Sequence, residues 1–140
     1  MKSILIDIDV ILDVLTKREP FFAPAANLWA QVENRNIRAY LASRTITTLF
    51  YLMKRAKGKR LAKAAIRDLM EVFEIAPVDK KTLLLALESE FTDFEDAVQF
   101  AAAKKINAGF IITRNIRDFK KSDIPVTSPD LYLATLKLKP

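Results

Sequence analysis

Aspartate side chains recur at three separated points of this 140-residue chain, each close to a predicted strand end or helix start. They are Asp7, Asp9 and Asp13 near the start, Asp93 and Asp96 late in the chain, and Asp118 after the last strongly apolar run. Like carboxylates that come together repel one another unless a cation neutralises them. Because the chain has no His and no Cys, such a cation would have oxygen ligands alone, which suits Mg²⁺ or Mn²⁺.

Each of these aspartates also has a structural explanation. Asp9 or Asp13 can cap a helix, and Asp118 can form a turn. Asp93 is favourable in the first turn of a helix, although its spacing of three residues from Asp96 gives the two carboxylates a common helix face. A metal site and a set of structural roles are therefore alternatives at this point.

The missing residue types exclude several kinds of chemistry. A chain without Cys and His has no disulfide, no thiolate or imidazole metal ligand, no Cys nucleophile and no Ser–His pair. Any catalysis must therefore use carboxylates, hydroxyls, amides, Lys and Arg.

The apolar pattern predicts the elements that position the aspartates. Predicted strands cover residues 3–6, 40–41, 72–75, 110–113 and 126. Predicted helices cover residues 9–15, 24–34, 45–55, 59–70, 80–88 and 93–105, and a last one opens at 128–129. This alternation predicts an α/β fold: a three-layer α/β/α sandwich with a central, mostly parallel sheet of about five short strands. Ligands of such sheets bind beyond the carboxyl ends of the strands, where Asp7 and Thr113 lie.

Two helix starts carry sequence signatures. Asp79 is the predicted cap of the helix over residues 80–88. Thr92 and Glu95 have the spacing of a capping box, which predicts a helix from Asp93. Gly58 separates the two helices on either side of it.

Charge is distributed unevenly along the chain, whose formal net charge is +6. Residues 34–67 contain ten Lys and Arg and no acid, whereas residues 88–96 contain five acids. A basic block beside an acidic cluster suits a polyanion held near a cation-loaded site. A solvated helix face is the alternative explanation.

The order and spacing of four segments resemble those of the PIN-domain family of metal-dependent ribonucleases, which includes the VapC-like toxins of toxin–antitoxin pairs. The segments are residues 4–13, 93–99, 111–119 and 127–129, so the resemblance covers nearly the whole chain. It implies a single PIN-like domain over residues 1–140 that hydrolyses RNA phosphodiester bonds with a metal-activated water. The implied partners are RNA, an antitoxin protein and a second copy of the chain.

The resemblance also implies roles for individual residues. The implied catalytic residues are Asp7, Asp93, Asp96, Thr113 and Asn115, and the implied metal ligands are Asp7, Asp9, Asp93, Asp96 and Asp118. The implied RNA-binding residues are Arg44, Lys54, Arg55, Lys57, Lys59, Arg60 and Arg114. Asp7 and Asp96 would hold Mg²⁺ or Mn²⁺, and the Thr113 hydroxyl would position a water or a phosphate oxygen.

Two positions depart from the family pattern. Much of the family has an acid, usually Glu, in the helix after the second strand, where this chain has Thr48. Asn115 stands where many relatives have Asp. Both changes replace a carboxylate charge with a neutral oxygen, so they predict weak binding of a second metal ion.

Two other functions compete with that of a nuclease. Thr48 favours a catalytically weak or silent PIN-like module that binds RNA or protein. Asp7 and Asp9 also resemble the Asp-x-Asp start of haloacid-dehalogenase-type phosphatases, in which the first Asp is a nucleophile. That family favours Gly-Thr after the second Asp, where this chain has Val10 and Ile11.

The remaining features predict the assembly and the location of the protein. Trp29, Phe50 and Tyr51 lie at helical spacing, which predicts core or dimer contacts. The apolar run before Asp7 is too short for a signal peptide, and no run approaches the ~18 residues of a membrane span. We therefore expect a cytoplasmic homodimer without a membrane segment.

Overall fold

A five-stranded parallel sheet forms the centre of the computed structural model, which describes residues 3–137. Its strands are β1 (Ser3–Ile6), β2 (Arg38–Ala42), β3 (Glu74–Ala76), β4 (Phe110–Ile112) and β5 (Val126–Thr127). The strand order is β3-β2-β1-β4-β5, and every neighbouring pair is parallel. The central strand β1 therefore has β2 on one side and β4 on the other.

Seven α-helices connect or follow these strands within the described residues. They are α1 (Ile8–Leu15), α2 (Phe22–Glu33), α3 (Ser43–Lys57), α4 (Lys59–Val72), α5 (Lys80–Glu88), α6 (Phe94–Lys105) and α7 (Pro129–Lys137). A short 3₁₀ helix, Ile116–Phe119, lies between β4 and β5. None of the helices described here is long and apolar enough to cross a membrane.

Alternate side chains of the sheet enter two different cores. Ile4 and Ile6 of β1 pack on one face of the sheet with apolar residues of α1, α2, α4 and α7. Leu5 packs on the opposite face with Phe100 of α6 and with Phe119 of the 3₁₀ helix. Helices thus cover both faces of the sheet, which confirms the predicted three-layer α/β/α sandwich.

Two predicted boundaries are wrong. Val72 ends α4 instead of starting a strand, and Phe73 turns to extended backbone so that its ring meets Trp29 edge-to-face at 5.2 Å. An apolar run at a helix–strand junction fits both patterns, which explains the error. The predicted capping box is also absent, because α6 is capped by Asp93, one residue after Thr92.

Gly58 is the single residue between α3 and α4, and its φ of +90° lies in the region that favours glycine. This sharp turn makes α3 and α4 a helical hairpin. Most of the ten Lys and Arg of residues 34–67 lie on this hairpin. We define its basic tip as Lys54, Arg55, Lys57, Lys59 and Arg60, all of which are exposed.

Candidate active site

Asp7 lies where the central strand β1 ends and α1 begins. Its backbone N–H donates to the Ile112 carbonyl of β4 at 2.9 Å, which extends the strand pairing by one residue. Its carboxylate Oδ1 accepts from the Ile8 N–H at 2.9 Å and so caps α1. Sheet and helix together fix the Asp7 side chain, which is buried.

Thr113 follows β4 and is completely buried beside Asp7. Its hydroxyl Oγ1 lies 2.9 Å from Asp7 Oδ2 and 3.1 Å from Asp9 Oδ2. Because a hydroxyl has a single proton, it donates to one of these two carboxylates at a time. Thr113 therefore ties the carboxyl ends of β1 and β4 together.

The two carboxylate oxygens of Asp9 have different surroundings. Oδ2 accepts from the Arg114 backbone N–H at 3.1 Å and from the Asn115 side-chain amide at 3.2 Å. Oδ1 is buried and has no hydrogen-bond donor among residues 3–137. One oxygen thus holds the loop after β4, whereas the other is an unsatisfied acceptor, which is rare in native proteins.

Asp96 lies in the first turn of α6 and is partly buried. Its backbone N–H donates to Asp93 Oδ1 at 2.9 Å, so the Asp93 carboxylate is the N-cap of the helix. Glu95, which was expected to cap this helix, instead accepts from the Arg44 guanidinium at 2.9 Å. Asp93 and Glu95 at the start of α6 therefore have structural contacts, whereas the Asp96 side chain lines the cleft.

A cleft of about 200 Å³ lies beyond the carboxyl ends of the strands. It is lined by Asp7, Ile8, Asp9, Ala42, Arg44, Thr45, Thr48, Glu95, Asp96, Val98, Gln99 and Asn115. A larger hollow of about 590 Å³ involves residues of the other end of β2, with Arg38 and Glu74 in its lining. We assign the site to the smaller cleft, because buried Asp7 and partly buried Asp9 and Asp96 line it.

Burial and mutual repulsion raise the pKa of three carboxyls at this cleft. Burial raises the pKa of Asp7 from 3.8 to about 7, and the charge of Asp9 adds to the shift. Partial burial, together with the charges of Asp93 and Asp118, raises the pKa of Asp96 to about 6. Burial also raises the pKa of Asp9. The cleft therefore favours binding of a proton or a cation.

Comparison with known families identifies the fold. The family model of the PIN domain matches residues 3–117. The chain belongs to the PIN-domain family. This confirms the resemblance inferred from the sequence, and it leaves the alternative of a haloacid-dehalogenase-like phosphatase without support.

Individual proteins with PIN-domain architecture are similar over nearly their whole lengths. The chain is 25% identical over 136 residues to Ribonuclease VapC1 of Aquifex aeolicus (strain VF5). This alignment covers 94% of this chain and 93% of that protein. The crystal structure of FitAcB from Neisseria gonorrhoeae aligns with a TM-score of 0.72 at 20% identity, over 91% of this chain and 98% of that one. For VapC20 from Mycobacterium tuberculosis the TM-score is 0.61 at 21% identity, over 78% and 87% of the two chains.

The donor set of this PIN domain fits a hard cation such as Mg²⁺. Among the described residues, no three acidic side chains meet closely enough to enclose an ion by themselves. Mg²⁺ commonly uses one or two carboxylates and completes its shell with waters and substrate phosphates. Asp7 and Asp96 provide such a pair, and the unsatisfied Asp9 Oδ1 is a further oxygen.

Two of the predicted metal ligands lie outside the cleft lining. Asp93 is exposed and caps α6, and Asp118 is exposed on the 3₁₀ helix. Both act on the site through their charge, since each raises the pKa of Asp96. Asn115, which was predicted as a catalytic residue, does line the cleft.

Arg114 is engaged inside the protein, although it was predicted to bind RNA. Its guanidinium makes two hydrogen bonds to the buried Asp13 carboxylate, at 2.6 Å and 3.1 Å. It also lies 4.1 Å from the centre of the Phe21 ring. These contacts attach the loop after β4 to α1, so Arg114 has a structural explanation.

The other predicted RNA-binding residues fall into two places. Arg44 is at the start of α3 and lines the cleft. The basic tip lies where α3 ends and α4 begins, about 15–20 Å from Arg44 along the α3 axis at about 1.5 Å per residue. Sequence clustering therefore overstated how close these charges are to the carboxylates.

Thr48 lies on the cleft wall, as the family pattern implied. Its hydroxyl donates to the Arg44 carbonyl one turn earlier in α3, at 3.1 Å. Sequence reasoning missed two other polar cleft residues, Thr45 and Gln99, which hydrogen bond to each other at 2.9 Å. The spacing of Gln99 three residues after Asp96 is a signal that could have indicated this position.

Stability without divalent metal should fall between pH 4 and pH 7. The folded protein keeps a proton on Asp7 up to a pKa of about 7, whereas the unfolded chain loses it near 3.8. The free energy of unfolding then decreases as the pH rises through this window, by at most about 1.4 kcal/mol per pH unit from this one group. Asp7→Asn should flatten the dependence, which urea unfolding in EDTA at pH 5 and pH 7.5 would measure. Asp68→Asn, on the exposed face of α4, is the control; a slope that Asp7→Asn leaves unchanged would contradict the assignment.

Proposed function

We propose that this protein is a metal-dependent endoribonuclease that hydrolyses RNA phosphodiester bonds, and that it is the toxin of a toxin–antitoxin pair. The observation that carries the proposal is the group of carboxylates around one cleft of a PIN domain, where Asp7 is buried and Asp9 and Asp96 are partly buried. The similarity to Ribonuclease VapC1 over almost the full length of both chains supports the same activity.

The polar residues in and around the cleft have different roles in this proposal. Asp7 and Asp96 hold Mg²⁺ or Mn²⁺, which when bound would supply an activated water and neutralise charge on the phosphate. The Thr113 hydroxyl fixes the orientation of Asp7 Oδ2. Asp9 holds the loop of Asn115 through Oδ2 and keeps Oδ1 as an acceptor for a bound water. Asp93 and Asp118 add negative charge that attracts the cation.

The proposed partners are RNA, an antitoxin protein and a second copy of this chain, all in the cytoplasm. Similar structures include a toxin–antitoxin complex from Klebsiella pneumoniae and FitAB bound to a DNA fragment. Large apolar side chains are exposed on the helical hairpin, with Tyr51 at 58% and Leu61 at 56%. Exposed apolar groups of this kind are typical of protein contact surfaces, which supports a protein partner there.

We expect Asp7→Asn and Asp96→Asn each to lower RNA cleavage by at least about 100-fold, because an amide keeps the shape but removes the ligand charge. Melting temperature in EDTA should be unchanged or higher, since the substitution removes repulsion between carboxylates. A cleavage assay with Mn²⁺, Mg²⁺ or EDTA measures the first effect, with Asp68→Asn as the matched control. Cleavage that persists in EDTA, or unfolding of Asp7→Asn, would refute the proposed role.

The basic tip should affect RNA affinity and leave the chemical step unchanged, because it lies about 15–20 Å along α3 from Arg44 at the cleft. Replacing Lys57, Lys59 and Arg60 together with Gln should raise KM and leave kcat the same. The slope of log affinity against log salt should decrease by about 0.7 for each phosphate that the variant no longer neutralises. An unchanged salt slope would instead assign this surface to a protein partner or to solvation.

Thr48→Glu should tighten Mn²⁺ binding and raise the cleavage rate. Position 48 lines the same cleft as Asp7 and Asp96, and a Glu there adds a further carboxylate charge for the metal. Calorimetric titration of Mn²⁺ into both proteins, beside the cleavage assay, tests this. Thr47→Glu, on the exposed side of the same helix turn, controls for added charge. If neither quantity improves, a second carboxylate-bound metal has no part in the reaction.

A further inference from the structure

Gln99 and Thr45 form a polar pair between two helices at the cleft. Gln99 follows Asp96 by three residues on α6, so both side chains lie on the same face of the helix. Its Nε2 donates to Thr45 Oγ1 in the first turn of α3 at 2.9 Å. Thr45 is 3% exposed, and both residues line the cleft.

The Gln99 carbonyl oxygen Oε1 is buried and has no donor in the part of the chain that the structure describes. Native proteins seldom keep an unsatisfied buried acceptor without a use, because its lost hydrogen bonds to water are not replaced. The pair offers one acceptor, Gln99 Oε1, and one donor, the Thr45 hydroxyl proton. If the amide is turned over, the Thr45 hydroxyl donates to Gln99, so that the Thr45 oxygen becomes the acceptor on offer and Gln99 Nε2 the donor.

A partner group that donates and accepts at once matches this pair. A phosphate oxygen only accepts, and a water that ligates a cation only donates. The ribose 2′-hydroxyl does both, and it is the group that distinguishes RNA from DNA. It is also neutral, so the carboxylates of the cleft do not repel it.

We propose that Gln99 and Thr45 form a subsite for the ribose 2′-hydroxyl beside the scissile phosphate, and that this subsite selects RNA over DNA. The inference rests on the proposed function, because it assigns the substrate group that this cleft recognises. Gln99 and Thr45 are then specificity residues, separate from Asp7 and Asp96, which hold the ion.

The cleavage test compares an all-ribose oligonucleotide with the same strand carrying one 2′-deoxy sugar at the scissile position. The wild-type protein should cleave the all-ribose strand about tenfold faster or more, as one hydrogen bond to a buried group allows. Gln99→Leu should slow cleavage of the ribose strand by about the same factor and leave the 2′-deoxy strand unaffected. Thr45→Val should do the same, and Gln31→Leu, on α2 outside the cleft lining, should change neither rate.

A binding test gives a readout without catalysis. Fluorescence anisotropy in an Asp7→Asn background should show tighter binding of the ribose strand, and adding Gln99→Leu should remove that preference. If Asp7→Asn still cleaves RNA, the proposed function fails while this preference remains measurable. Failure of the proposed function and failure of the 2′-hydroxyl subsite are therefore distinguishable.

Three results would overturn the subsite. Gln99→Leu could slow both strands equally, which would mean that Gln99 only holds α6 against α3. The ratio between the strands could stay at the wild-type value in Gln99→Leu and in Thr45→Val. If base preference changes while the ratio of ribose to 2′-deoxy cleavage stays constant, Gln99 and Thr45 contact a base edge and not the 2′-hydroxyl. Because Leu removes an unsatisfied buried oxygen, Gln99→Leu should melt at the same temperature as the wild-type protein or higher. If Gln99→Leu melts at a lower temperature, Thr45→Val provides the comparison between the ribose and the 2′-deoxy strand.

Discussion

The burial of the Asp7 carboxylate beside two other carboxyls is the constraint that explains the rest of the site. Hydrogen bonds from Thr113 and from the Ile8 N–H stabilise its charge, yet burial and the charge of Asp9 outweigh them, so that its pKa rises to about 7. Such an arrangement is unfavourable for folding alone. In the proposed function, a cation bound in the cleft would offset this repulsion and so stabilise the folded protein.

The topology explains why these side chains meet. The chain runs from β1 outward through β2 to β3, and then returns to the other side of β1 for β4 and β5. The strand order reverses between β1 and β4, and in open parallel sheets a crevice forms at that point, outside the carboxyl ends. Asp7 and Thr113 are the residues that follow these two strands. Their hydrogen bond is therefore a consequence of strand order.

Sequence patterns predicted what depends on local order and missed what depends on packing. Asp7 and Thr113 could be found because each follows an apolar run, and strand ends converge in a parallel sheet. The α6 start was displaced by one residue, since Thr92 and Asp93 are both good caps. The ion pair of Arg114 with buried Asp13 could not be predicted, because it depends on how the loop after β4 packs against α1. The hydrogen bond of Gln99 to Thr45 likewise depends on how α6 packs against α3.

The separation of charge and chemistry along α3 has a consequence for how this protein can evolve. One end of the helix supplies Arg44, Thr45 and Thr48 to the cleft, and the other end carries the basic tip. Electrostatic attraction by the tip is insensitive to base identity and strongly dependent on salt, whereas contacts in a cleft of about 200 Å³ depend on single hydrogen bonds. Substitutions at the tip can therefore tune affinity without disturbing the carboxylates. Substitutions at the other end of α3, in contrast, change side chains that line the same cleft as Asp7 and Asp96.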